Sequence, residues 1–138
     1  MESRAISRKV LVVLAHIVLL APALVFAAGG GAKMEIKTAV EHAAFASKAG
    51  DVAKTHWHLH HVINCLVGPN GEGFDASAGN PCKGQGNGAL NDLGGSMQEK
   101  AILDQALALA KVGVEIQGYK PASDTAMAVK SLLEEEPH

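Results

Sequence analysis

The chain has 138 residues, a formal net charge of −2 at pH 7, and aromatic residues at only 4% of its positions. This charge offers no basic surface of the kind that binds nucleic acid, so we expect no nucleic-acid partner. Because aromatic side chains are few, alanine and leucine must fill the interior, which suits closely packed helices better than a sheet.

Residues 1–27 have the order of a secretory signal peptide, in which basic residues precede an apolar run and small residues follow it. Cleavage after Ala27 would leave a domain with a formal charge of −4 and no stable membrane span, located in the periplasm or secreted. The alternative is a retained N-terminal anchor, because the apolar run over residues 10–26 approaches the roughly 17 to 25 residues of a membrane span. A proline within the run favours cleavage, and residues 28–33 are predicted to be a flexible linker.

Apolar residues recur at helical spacing over residues 34–49 and 52–67, which predicts two amphipathic helices. Gly50 suits the left-handed position that follows a helix end, and Asp51 suits the N-cap of the next helix. The sequence therefore predicts a tight antiparallel helical hairpin.

Residues 68–95 contain nine glycines and two prolines, a composition that predicts a loop. A loop of this length in a compact domain is usually functional or tethered. In an oxidising compartment, Cys65 and Cys82 are expected to form a disulfide that stabilises the fold by about 3 kcal/mol. The alternative role for these cysteines is as free thiolate ligands.

A capping-box pattern at residues 96–99 opens the third predicted helix, over residues 97–117, and a shorter fourth helix is predicted over residues 124–134. No alternating strand pattern is present. The predicted fold of residues 34–138 is therefore all-α, a small antiparallel four-helix bundle with one long glycine-rich loop, tethered by the disulfide.

Five histidines lie in the predicted hairpin: His42, His56, His58, His60 and His61. At about 100° per residue, His56 and His60 lie on one flank of the second helix, whereas His58 and His61 lie on the other. A straight helix cannot bring all four rings to one ion. Either two sites exist, or one pair binds metal while the other pair faces water.

The short turn places His42 level with the histidines of the second helix, where it can supply a further ligand. The first-choice metal site is His42, His56 and His60 with an open position, and His58 and His61 form a second set. Imidazole ligands suit copper, zinc or nickel, and the intrinsic order of affinities favours copper. Binding is expected to weaken below about pH 6, because each imidazole must lose its proton to bind.

The sequence does not favour an enzyme, because it contains neither a nucleophile elbow nor an H-E-x-x-H motif. Trp57 stands between His56 and His58, where a zinc protease would carry its catalytic base. A rival hypothesis is a bundle that binds haem b non-covalently through one or two of the same histidines, since no C-x-x-C-H motif occurs. A third is a structural or partner-binding module that uses the glycine-rich loop.

The stretch Ala39-Val40-Glu41-His42-Ala43-Ala44, followed by a short turn and a second histidine-bearing helix, resembles the small metal-binding proteins of the periplasm. The resemblance covers roughly residues 34–66. It implies a four-helix bundle that sequesters copper, nickel or zinc. Because the last two predicted helices lack histidine, one or two defined sites are expected rather than many.

Overall fold

The computed structural model describes residues 30–94 and 97–135, and within these ranges every regular element is an α-helix. The helices are α1 (Gly30–Ser47), α2 (Val52–Val67), α3 (Ala89–Asp92), α4 (Met97–Glu115) and α5 (Tyr119–Glu134). The all-α prediction is confirmed for the described part of the chain. The signal-peptide prediction for residues 1–27 and the cap residue Ser96 lie outside it.

The bounds of three long helices differ from the predicted ones, and the smallest difference is in α4, which ends at Glu115 rather than at residue 117. Helix α1 begins at Gly30, inside the predicted linker, and its first turn already buries Ala32. A Cβ at Gly31 would come within 3.0 Å of the Gln85 carbonyl oxygen, so a glycine here permits close contact with the loop. Helix α5 begins at Tyr119 because Pro121 lies in its first turn, where a missing backbone N–H breaks no helical hydrogen bond.

The four long helices pack around an interior made largely of small and aliphatic side chains. Helix α1 lies against α2 and α5, and α4 also lies against α2 and α5, whereas the short α3 covers one end. The fully buried core residues include Ala39, Ala43, Leu59, Leu66, Leu103 and Ala106. The small alanine side chains of α1 allow its backbone to approach α2 closely, which brings the histidines of the two helices within reach of each other.

The turn between α1 and α2 has the predicted chemistry. Gly50 adopts a φ of +83°, and the Asp51 carboxylate caps α2 by accepting a hydrogen bond of 2.8 Å from the Lys54 backbone N–H. The buried Thr55 hydroxyl donates to the Ala46 carbonyl oxygen across the turn. These contacts fix how α2 begins relative to the end of α1.

The predicted disulfide is confirmed: Cys65 and Cys82 are joined, with their Cα atoms 5.3 Å apart, and both are buried. The bond attaches the glycine-rich loop to the last turn of α2. The base of the loop is tightly packed, since a Cβ at Gly68 would lie 1.7 Å from the Asn87 carbonyl oxygen. In the described ranges, no helix has both the length and the hydrophobicity required to cross a membrane.

A buried hydrogen bond connects α5 to the end of α1, where the Ser123 hydroxyl donates to the Ser47 carbonyl oxygen at 3.0 Å. We expect Ser123→Ala to lower the free energy of unfolding by about 1 to 2 kcal/mol, because a buried carbonyl loses its donor. Urea denaturation measures this. Ser131→Ala is the matched control on the exposed face of the same helix, and its effect should stay within about 0.5 kcal/mol. Equal losses in the two variants would contradict this assignment.

Candidate metal centre

Three histidine side chains from the first two helices converge on one point. His42 of α1 faces His58 and His61 of α2, and one nitrogen from each ring lies within 4.8 Å of the other two. The Nδ1 atom of His42 is 3.1 Å from the Nδ1 atom of His58 and 3.1 Å from that of His61. We call His42, His58 and His61 the histidine triad.

The orientation of His61 determines which of its nitrogens is available. Its Nε2 lies 2.7 Å from the Ala78 carbonyl oxygen, which can only accept a hydrogen bond, so Nε2 carries the proton and donates. In the neutral ring, Nδ1 therefore presents a lone pair toward His42. A hydrogen bond from the second ring nitrogen to a carbonyl is the usual way in which proteins orient a metal-binding histidine.

Hydrogen bonding alone satisfies the triad poorly. His61 Nδ1 has no proton to donate, so a single proton on His42 Nδ1 would have to serve both of its 3.1 Å contacts. A cation at the centre accepts all three lone pairs at once. For metal–nitrogen distances of 2.0 to 2.1 Å in a tetrahedral site, neighbouring nitrogens lie about 3.3 Å apart. The two 3.1 Å separations from His42 are close to this spacing, whereas the nitrogens of His58 and His61, which lie within 4.8 Å of each other, would adjust by side-chain rotation. The residues present therefore fit a metal ion.

The protonation state of the triad also suits metal binding. Burial, followed by the proximity of His61 and His58, lowers the pKa of His42 to about 4. Burial and the neighbouring His61 also lower the pKa of His58. Because the neutral forms are favoured, both rings offer lone pairs at neutral pH without first losing a proton.

Two half-exposed aromatic rings border the triad. The Trp57 ring centroid lies 4.2 Å from that of His61 and 4.8 Å from that of His58, while Phe45 contacts His42 and His58. About half of each aromatic side chain is exposed. These rings limit the rotation of the imidazoles and border the side of the site that faces solvent.

The structure does not group His42 with His56 and His60, the first-choice set from the sequence. The ring of His56 points toward α4 and its Nε2 donates to the Ile116 carbonyl oxygen at 2.8 Å, while His60 Nδ1 lies 3.5 Å from an oxygen of Asp75. The rotation of α2 turns the flank with His58 and His61 toward α1 instead. The triad thus combines the predicted ligand from α1 with the predicted second set.

Sequence reasoning missed Ala78 as a partner of the site, because a backbone carbonyl leaves no signal in residue identity. It also missed Phe45. A weak signal for the flank that faces α1 was present, since Cys65 lies one turn beyond His61 and its bond to Cys82 draws the loop toward that side. The sequence shows the spacing of His61 and Cys65, but it does not show that the loop brings the Ala78 carbonyl oxygen to His61.

Neither protein-family models, curated proteins nor solved structures give a match to this chain. The fold and the site together define a small all-helical, disulfide-linked protein with a histidine triad that can hold a metal ion.

Proposed function

We propose that this chain is an exported, non-enzymatic metal-binding protein that holds one transition-metal ion at His42, His58 and His61. The observation that carries the proposal is the convergence of three imidazole nitrogens, of which the central one lies 3.1 Å from each of the others. We further propose that the long helices form a small antiparallel four-helix bundle, with the metal held between its first two helices.

The donor set supports copper, zinc or nickel as the bound ion. Three imidazoles are ligands of intermediate softness, and the intrinsic order of affinities favours copper(II). Three protein ligands leave a further coordination position open, which a water molecule or a ligand from another molecule can take. Such a site suits sequestration, delivery or sensing of the ion, because a metal that is not fully enclosed can be passed on.

Export is supported by two features of different kinds. The first 27 residues have the pattern of a secretory signal, and the structure contains a disulfide of the kind that persists in oxidising compartments. We therefore propose a periplasmic or secreted location, where the protein would meet metal ions outside the cytosol.

The proposal is tested by metal titration of the tag-free protein after treatment with a chelator. Trp57 is the only tryptophan of the chain and contacts two ligands of the triad, so it reports on the site directly. We expect one ion per chain by elemental mass spectrometry, and copper(II) should quench the Trp57 fluorescence with the same stoichiometry. Zinc, which has a filled d shell, should bind with little quenching and should block the copper response.

Other outcomes separate the rival functions. A protein that retains none of the three metals at micromolar concentrations would contradict the proposal. A haem absorption band in the purified protein, with one haem per chain, would instead assign the histidines to axial ligation. The 3.1 Å contacts between the ring nitrogens do not favour haem held between two histidines of the triad, since they leave no space for a porphyrin between the rings.

A further inference from the structure

We propose that the loop closed by the Cys65–Cys82 disulfide sets the metal affinity of the histidine triad, so that reduction of the disulfide promotes release of the metal. This inference rests on the proposed metal site and assigns a form of regulation to it. Among the residues that the structure describes, one hydrogen bond joins the loop to the triad.

That hydrogen bond runs from His61 Nε2 to the Ala78 carbonyl oxygen, at 2.7 Å and shielded from solvent. It fixes both the ring orientation of His61 and the nitrogen that carries its proton. Without it, the ring can rotate or move its proton to Nδ1, and either change removes a lone pair from the metal position. Ala78 is therefore a positioning residue for the site, through its backbone.

Ala78 is held in place by contacts on both sides of it along the loop. The buried side chain of Asn64 donates to the Asp75 carbonyl oxygen at 2.8 Å and to the Gly79 carbonyl oxygen at 2.6 Å. Its own oxygen accepts from the Asp75 backbone N–H at 2.8 Å. One residue further along α2, Cys65 attaches the loop covalently through Cys82. The turn of α2 that follows His61 thus carries Asn64 and Cys65, the two residues that attach the loop. The loop in turn orients His61 through Ala78.

Reduction would remove the covalent attachment. A dithiol reductant supplies two electrons and two protons, the sulfur–sulfur bond breaks, Cys65 and Cys82 become thiols, and the reductant becomes a disulfide. The segment around Ala78 then keeps the Asn64 hydrogen bonds but loses its nearby covalent link to α2, and Ala78 spends less time in the position that orients His61. Loss of such an outer-shell contact typically weakens metal binding about 10- to 100-fold.

The coupling must act in both directions, because metal binding and disulfide formation favour the same conformation. A 10- to 100-fold difference in zinc affinity between the oxidised and reduced protein corresponds to a disulfide reduction potential that is about 30 to 60 mV lower with zinc bound. Metal loading would therefore protect the disulfide, and reduction would favour unloading.

The test compares the zinc affinity of the full chain with that of Cys65→Ala/Cys82→Ala, by competition with a chromophoric chelator. Zinc is the probe because it has no redox chemistry of its own. We expect the double variant to bind 10- to 100-fold more weakly. We also expect nitrogen NMR shifts to show that the Nε2 proton of His61, which is well defined in the wild type, exchanges between ring nitrogens in the variant.

Two further variants separate orientation of the site from general stability. Asn64→Ala keeps the disulfide but removes the hydrogen bonds on either side of Ala78, so it should also weaken zinc binding. This variant tests the inference even if the double variant does not fold. Leu133→Ala opens a cavity in the core at the far end of α5 and should lower the melting temperature while leaving zinc affinity unchanged.

Each outcome is decisive. Equal or tighter zinc binding by the folded double variant would overturn the inference and leave the metal site intact. The inference would also be overturned if Leu133→Ala lost as much zinc affinity as Asn64→Ala. A wild-type protein that binds no zinc, copper or nickel would overturn the proposed function itself.

Discussion

Replacing His42 with alanine is expected to lower the affinity for copper(II) or zinc more than 100-fold, beyond the roughly 10- to 100-fold loss that outer-shell changes cause. His42 is the central ligand, since its Nδ1 contacts the Nδ1 atoms of both other rings at 3.1 Å. His58 and His61 are adjacent on α2 and can form at most a two-ligand site without it. Competition titration against a chelator of known affinity measures the loss.

The matched controls are His56→Ala and His60→Ala, which remove histidines from the same helix but from outside the triad. Both should retain affinities within a few-fold of the wild type, because His56 binds the Ile116 carbonyl oxygen and His60 lies near Asp75. His61→Ala should resemble His42→Ala. If His56→Ala or His60→Ala lost as much affinity as His42→Ala, the ion would be bound by the other flank of α2 and the triad would be the wrong site.

The sequence predicted the helical class, the start of α2 at an Asp51 cap, the disulfide and the region that holds the site. These features depend on local chemistry, namely hydrophobic spacing, capping side chains and an even number of cysteines. Local chemistry does not determine which flank of α2 faces α1. His56 and His58 differ by about 200° around α2, and which one meets His42 depends on the packing of α2 against α1 and α4.

The start of α1 is a second feature that the sequence did not predict, because α1 begins at Gly30, inside the predicted linker. Gly30 and Gly31 have low intrinsic helix propensity, which favoured a linker in the sequence. In the structure this turn buries Ala32, and the missing side chain of Gly31 lets the loop approach. Tertiary contacts with a loop more than fifty residues away thus outweigh the local preference, and no local pattern reveals them.

The same junction between α1 and the loop contains a buried carboxyl group, that of Glu35, which is 1% exposed. Its Oε1 accepts a hydrogen bond of 2.8 Å from the Gly88 backbone N–H, whereas its Oε2 has no hydrogen-bond partner among the described residues. The Asp92 carboxylate lies nearby, since a Cβ at Gly86 would come within 2.0 Å of Asp92 Oδ2 and 2.9 Å of Glu35 Oε1. Burial is the main cause that raises the pKa of Glu35 to about 7, the Gly88 hydrogen bond opposes it, and Asp92 adds to the rise.

The raised pKa makes stability depend on pH with a definite sign. The folded protein holds the Glu35 proton up to about pH 7, while the unfolded chain releases it near 4.5. Between these values the folded state binds more protons, so the free energy of unfolding falls as pH rises. The stabilisation is complete below pH 4.5 and is lost as pH passes about 7, and the difference is on the order of 3 kcal/mol.

Glu35→Gln is therefore expected to stabilise the protein at pH 8 by up to about 3 kcal/mol and to flatten the fall in stability between pH 4.5 and 7. Glutamine keeps an oxygen for the Gly88 N–H and carries no charge that burial would penalise. Urea denaturation of the metal-free protein at several pH values measures both effects. Glu41→Gln, an exposed change on the same helix, is the control and should leave the pH profile unaltered. A lower stability of Glu35→Gln at pH 8 would mean that the folded protein holds Glu35 as a well-solvated carboxylate, which its burial and its unpaired oxygen argue against.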